Sequence, residues 1–217
     1  MPQYQHPDVY VEYVPGTPPI AGVGTSTAAF IGVADVAAND MPLMPGSDTT
    51  RYPLAALNTP TLVTNWSQFK NNFGDILAAN NTLAHAVYGF FINGGTAAYV
   101  VRVSALGTTE VTAALRTLEP IDEVALVAAP GVEDNTAAAV ITHCELMGDR
   151  FAILDGHVTT TISVPSIKGT LGTSSYAAIY FPYIQVYDPV TEGNINLPPS
   201  GHMAGIYARV DATRGVH

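Results

Sequence analysis

Short apolar runs recurring between stretches of helical spacing constrain this sequence more than any other feature. AAFIGVA (residues 28–34), AAYVVRV (97–103), EVALVAAP (123–130) and RFAILD (150–155) each read as a strand, and TLVTNW (61–66) as a further one. AAYVVRV is apolar almost throughout, the pattern of a strand covered on both faces. Helical segments lie between them. In NWSQFKNNFG, Asn65 is placed as an N-cap with Gln68 three residues on, and Gly74 as the stop. NNTLAHAVYGFFINGG spaces Leu83, Val87, Phe90 and Phe91 helically and ends on Gly94 and Gly95. TTEVTAALRTL and DNTAAAVITHCELMG continue the alternation. Strand and helix taking turns across short connections predict an α/β fold, with a largely parallel sheet flanked by helices.

Three regions depart from that grammar. Near the start, Val9, Val11 and Tyr13 alternate with Tyr10, Glu12 and Val14, and Pro15-Gly16 and Pro18-Pro19 separate this strand from the rest. A strand behind such a hinge has no local hairpin partner, so it pairs with the main sheet or with another chain. Residues 1–20 therefore read as an extended arm and hinge, and residues 21–196 as a core domain. Segments 35–60 and 156–175 are loop insertions in that core. YAAIYFPYIQVYD reads as one bent strand with Pro182 at the bend, and NINLPPSGH as the lead into a last helix. Residues 197–217 read as the truncated start of a C-terminal domain. Helical spacing there puts Met203, Ile206, Tyr207 and Val210 on one face, the face expected to pack.

Charge excludes some functions. Only 12% of residues are charged, against about 25% in an average globular chain, which suits a surface largely covered by neighbours. The net charge is −10 with two lysines, Lys70 and Lys168, and no basic run. Phosphate neutralisation, and with it nucleic-acid binding, is not supported. LAHAVYGFFI, the longest apolar helical stretch, is about half a membrane span, so direct membrane insertion is not expected. No basic segment followed by an apolar core opens the sequence, so no signal peptide is read.

No catalytic, cofactor-binding or metal constellation emerges. GVGTST (22–27) lacks the third glycine of a dinucleotide fingerprint and precedes a strand instead of following one. In APGVEDN (129–135), Asp134 is accounted for as a helix N-cap. Asp155 and His157 in LDGH form the best local acid–histidine pair, but loop polarity after a strand explains them. Ser200 and His202 read as helix-start residues, and Tyr180, Tyr183 and Tyr187 as packing aromatics. Cys144, the sole cysteine, falls beside Val140 and Ile141 on a helix and reads as a small buried residue, not a reactive thiol. The six histidines are scattered, with none at ligand spacing.

Five stretches taken in order resemble the contractile tail sheath family of phages and bacterial injection systems. They are HPDVYVEYVPG, FIGVA, TLVTNWSQFKNNFGD, LAHAVYGFFINGGTAAYVVRV and PPSGHMAGIYARVDATRGVH, the last two being the most specific. The resemblance implies a structural virion component without enzymatic activity or cofactors. It implies homo-oligomers in six-fold rings or a helical sheath around an inner tube protein, bounded by baseplate and cap proteins. Assembly would take place in the bacterial cytoplasm, into a phage tail or contractile injection particle. Terminal arms in that family add strands to a neighbour's sheet, which makes Val9, Tyr10, Val11, Glu12, Tyr13 and Val14 the expected subunit-interface residues. Contraction releases free energy stored in the extended packing and consumes no nucleotide. A further domain and a C-terminal arm follow PPSGH…RGVH in the family, so the sequence is expected to be part of a longer subunit.

Two other readings stay open. One is a terminator or baseplate component bearing a sheath-like domain. The other is a small-ligand-binding α/β domain that uses the loops at residues 130–135 and 155–157.

Overall fold

The computed structural model describes residues 27–215. The expected arm, residues 9–14, lies outside them. Five parallel strands form the centre of a six-stranded sheet: β1 (Thr27–Val33), β3 (Ala98–Val103), β4 (Val124–Ala128), β5 (Phe151–Asp155) and β6 (Ala177–Tyr180). Their spatial order is β3-β1-β4-β5-β6, and β2 (Thr61–Val63) pairs antiparallel to β3 at one edge. The α/β expectation, a largely parallel sheet flanked by helices, is met.

Side-chain alternation along β1 divides the interior in two. Ala28 and Phe30 point to the layer of α1 (Trp66–Phe73), α2 (Asn81–Ile92) and α6 (Ser200–Arg214). Ala29 and Ile31 point to the layer of α3 (Thr108–Leu118) and α4 (Asp134–Met147). Phe30 meets Phe90 of α2 edge-on at 5.4 Å. A bulge between Thr27 and Ala28 shifts the pairing with β4 and sends Val124 and Leu126 to opposite layers.

Helix ends follow the local chemistry in part. Asn65 caps α1 by accepting from Gln68 N at 2.9 Å, and Gly74, at φ 83°, ends it. Gln68 returns the bond to Thr64 N and not to the cap residue. α4 differs from expectation: Glu133 occupies its N-cap position and Asp134 is its first helical residue. Cys144 is fully buried in the α4 layer, where burial pushes its thiol up to about 12. The 35–60 insertion is tied down by Arg102 of β3, whose Nε and Nη1 donate to Ala34 O and Ala55 O. The 156–175 insertion contains one short helix, α5 (Val164–Lys168).

Two readings of the C-terminal third change. The bent strand around Pro182 is two strands in separate sheets, β6 and β7 (Ile184–Asp188), and β7 forms a hairpin with β8 (Gly193–Leu197). Asp188 organises the hairpin turn by accepting from Val190 N, Thr191 N and Thr191 Oγ1. The last helix packs Met203 and Tyr207 of the face that its large residues mark, partly buried, against the core, but its deepest positions lie beside them. Its buried positions are Ser200, Gly201, Ala204, Gly205 and Ala208, while Val210 is 40% exposed. α6 crosses α2 so closely that only small residues fit between them: a Cβ at Gly201 would stand 2.4 Å from the backbone of Ala86. α6 lies in the same core as α1 and α2.

Candidate functional site

Parallel α/β sheets offer their carboxyl ends to ligands, most often where strand order reverses. Here the order reverses between β1 and β4. A small cavity of about 230 Å³ lies there, lined by Gly32, Val33, Asn80, Leu83 and Pro130 among others. Leu83 packs against Gly32, since a Cβ at Gly32 would stand 2.9 Å from its side chain. The Asn80 amide donates inward to Phe73 O and Asp75 O. The Asn80 side chain is thus committed to holding the α1–α2 connection.

A larger cleft of about 580 Å³ opens between the ends of β4 and β5. It brings together the two loops that the sequence offers as ligand candidates, residues 130–135 and 155–157. Three carboxylates, Glu133, Asp134 and Asp155, line it with His157, Thr170 and Tyr183. Asp155 sits at the end of β5, and Gly131, at φ 76°, turns the chain after β4.

Bonding within the cleft is largely internal. Asp155 Oδ1 accepts from Ser200 N at 2.8 Å, and Oδ2 accepts from Ser200 Oγ at 2.9 Å and Gly131 N at 3.2 Å. Burial pushes the Asp155 carboxyl up to about 6 despite these donors. Pro199, at the N-cap of α6, makes no capping bond, so a carboxylate from β5 caps this helix from outside. His157 Nε2 donates to Asp134 Oδ1, and Thr170 donates to Asp134 Oδ2 through N and Oγ1, both at 2.7 Å. Partial burial acts to raise Asp134, but the Thr170 and His157 hydrogen bonds outweigh it and hold it at about 2.

Nucleophilic catalysis through His157 would need a hydroxyl or thiol presented to it. Among the described residues, the Thr170 hydroxyl donates to Asp134 and the Ser200 hydroxyl to Asp155. The cleft is a junction that fastens the 156–175 insertion to α4, and α6 to β5. Ser200 is a helix-start residue, as the sequence suggests. The His202 ring covers Gly89 of α2. The Asp155–Ser200 bond spans 45 residues and carries no local signal. No group of three or more His, Cys, Asp or Glu side chains among the described residues is arranged to hold a metal ion.

No protein-family model and no curated protein matches the chain. Solved structures do match. A chain of the sheath complex of PVC, an extracellular contractile injection system in the contracted state, superposes with a TM-score of 0.69 at 24% identity. That match covers 99% of this chain and 53% of the other. A chain of the contracted helical sheath of the anti-feeding prophage gives a TM-score of 0.61 at 23% identity, covering 98% and 54%. A chain of that prophage's contracted baseplate gives 0.69 at 20%, covering 98% and 56%. The chain spans about half the length of the solved chains it matches. Over nearly all of its own length, this chain has the fold found in chains of contractile injection-system sheaths and baseplates.

Proposed function

We propose that this chain is part of a structural subunit of a contractile sheath, which surrounds an inner tube and drives it forward on contraction. The observation that carries the reading is the fold similarity to sheath chains over 98–99% of the sequence, joined to the five sheath-like stretches in family order. The subunit acts mechanically and not as an enzyme: Asp134, Asp155 and the Thr170 and Ser200 hydroxyls of the cleft are bonded to one another, a use of polar groups that stiffens a domain. A three-layer core of this kind moves as one body. Subunits that rotate during contraction then need a connection that survives rigid motion. A strand contributed by Val9, Tyr10, Val11, Glu12, Tyr13 and Val14 to a neighbour's sheet meets that need, because its hydrogen bonds are backbone bonds. The Pro/Gly segment after it serves as the hinge. The partners are other copies of the subunit, an inner tube protein, and baseplate and cap proteins. The particle is a phage-tail-like or injection device assembled in the bacterial cytoplasm.

Deletion of residues 1–14 from the full-length subunit tests the arm. The expected result is a folded subunit that forms no ordered sheath; sheaths of normal length and striation from the deletion would refute strand exchange through this segment. The baseplate match supports a second reading, a sheath-like component found once at a tail end. Its position in the particle separates the two.

A further inference from the structure

Two buried ring nitrogens lack hydrogen-bond partners among the described residues, and they belong to neighbouring histidines. They are Nδ1 of His85 on α2 and Nδ1 of His202 in the first turn of α6. His85 is 1% exposed, and its Nε2 lies 3.4 Å from Oδ1 of Asp188, which is fully buried at the hairpin turn. The His202 ring covers Gly89, one helical turn beyond His85, so closely that a Cβ there would come within 2.4 Å of it. Three elements that are distant in sequence therefore meet at three titratable side chains: α2, the β7–β8 hairpin and the start of α6.

We propose that His85, His202 and Asp188 form a proton-operated latch, which holds the hairpin and the first turn of α6 on α2 at neutral pH and releases them on acidification.

A proton on His202 would place an N–H on its buried Nδ1, which has no acceptor among the described residues, and it faces no free acid. From α2 it meets His85. From the hairpin, Asp188 is committed to His85, Val190 and Thr191. From β5, Asp155 is committed to Ser200 and Gly131. His202 also stands in the first turn of α6, where the helix dipole opposes a cation. Burial, then the charge of His85, lower the pKa of His202 below its ordinary value. A histidine lowered in the fold contributes stability that is fully present above the unfolded value of about 6.5 and lost as pH falls through the folded value. Once charged, the His202 ring gains by leaving Gly89 for water, which loosens the first turn of α6 and with it the hairpin that Pro198 and Pro199 join to that turn. This inference does not depend on the sheath reading.

Hydrogen exchange on the full chain, corrected for intrinsic rates and compared at about pH 7.5 and about pH 5.5, reads the latch directly. Protection across residues 184–206 is expected to fall on acidification, by at most ~10-fold for a single proton on His202, while β1 and β3 keep theirs. His202→Gln, which cannot take the proton, is expected to keep its protection at both pH values. Equal protection of the parent chain at both values overturns the proposal, as does an equal loss in His202→Gln. NMR titration of the histidine rings in the unmutated chain needs no variant to fold: a His202 ring titrating at or above about 6.5 also overturns it.

Discussion

Gly201→Ala tests the packing that seats α6, and its effect follows from two opposed quantities. Alanine favours a helix over glycine by about 1 kcal/mol in an exposed interior position. Against that gain, the new Cβ would lie 2.4 Å from both Cα and O of Ala86, and 2.6 Å from its Cβ. Ordinary contact begins at about 3.5 Å, so α6 must retreat from α2 by roughly 1 Å. A side chain could swing aside, but the Ala86 backbone cannot. Overpacking costs about 1–3 kcal/mol where neighbours yield, and a backbone obstacle places this site at or above the upper end. The net expectation is a loss of about 2 kcal/mol, and at 2–4 °C per kcal/mol for a domain of this size Tm falls by about 4–8 °C. Urea denaturation should show a lower midpoint with an unchanged slope. Gly172→Ala is the control, because nothing lies within 4 Å of its added Cβ and its φ is not positive; it should fall within about 0.5 kcal/mol of the parent. A Gly201→Ala variant as stable as that control would mean α6 is not seated on α2 as described, and the account of the terminal block would fail.

Two carboxylates in the cleft predict pH effects of opposite sign. Asp155, raised by burial to about 6, contributes stability that is fully present below about pH 4 and lost as pH rises through 6, an effect on the order of 3 kcal/mol at most. Asp155→Asn should flatten that part of the stability profile relative to the parent and weaken protection at the start of α6, since an amide nitrogen cannot accept from Gly131 N; an unchanged profile would rule this out. Asp134, held at about 2, contributes stability that is present above about pH 4 and lost as pH falls towards 2. Asp134→Asn should cost about 1 kcal/mol at neutral pH and remove that acid limb in denaturation measured between the two values. An identical acid limb in the variant would show that Asp134 is not the group responsible.

Legibility in the sequence tracked how local the determining physics is. The runs 28–34, 97–103, 123–130 and 150–155 each became a strand of the main sheet, because apolar runs bounded by turn residues carry their own signal. Asn65 and Gly74 likewise acted on the helix they flank. β8 escaped notice because NINL is only half apolar, and its partner face is the exposed and partly buried alternation of a two-stranded hairpin. The packed face of α6 is legible only in part, through Met203 and Tyr207, for a physical reason. Large residues mark a buried face only where neighbours leave room, whereas glycine and alanine mark a close helix crossing, and on sequence alone they look inert. The Asp155 cap and the His85–Asp188 pair join residues 45 and 103 positions apart, so no window of sequence holds both members. Asp134 was recognised as a helix-start residue, but its ties to His157 and Thr170 come from a loop that only the fold brings near.

Immunogold electron microscopy of native particles, with an antibody against this chain, tests the proposed function most directly. A sheath subunit predicts gold along the whole outer length of a striated, contractile tail. Gold confined to one end would contradict that and place the chain in a cap or baseplate. Labelled material without tails would return the small-ligand reading of the cleft to first place.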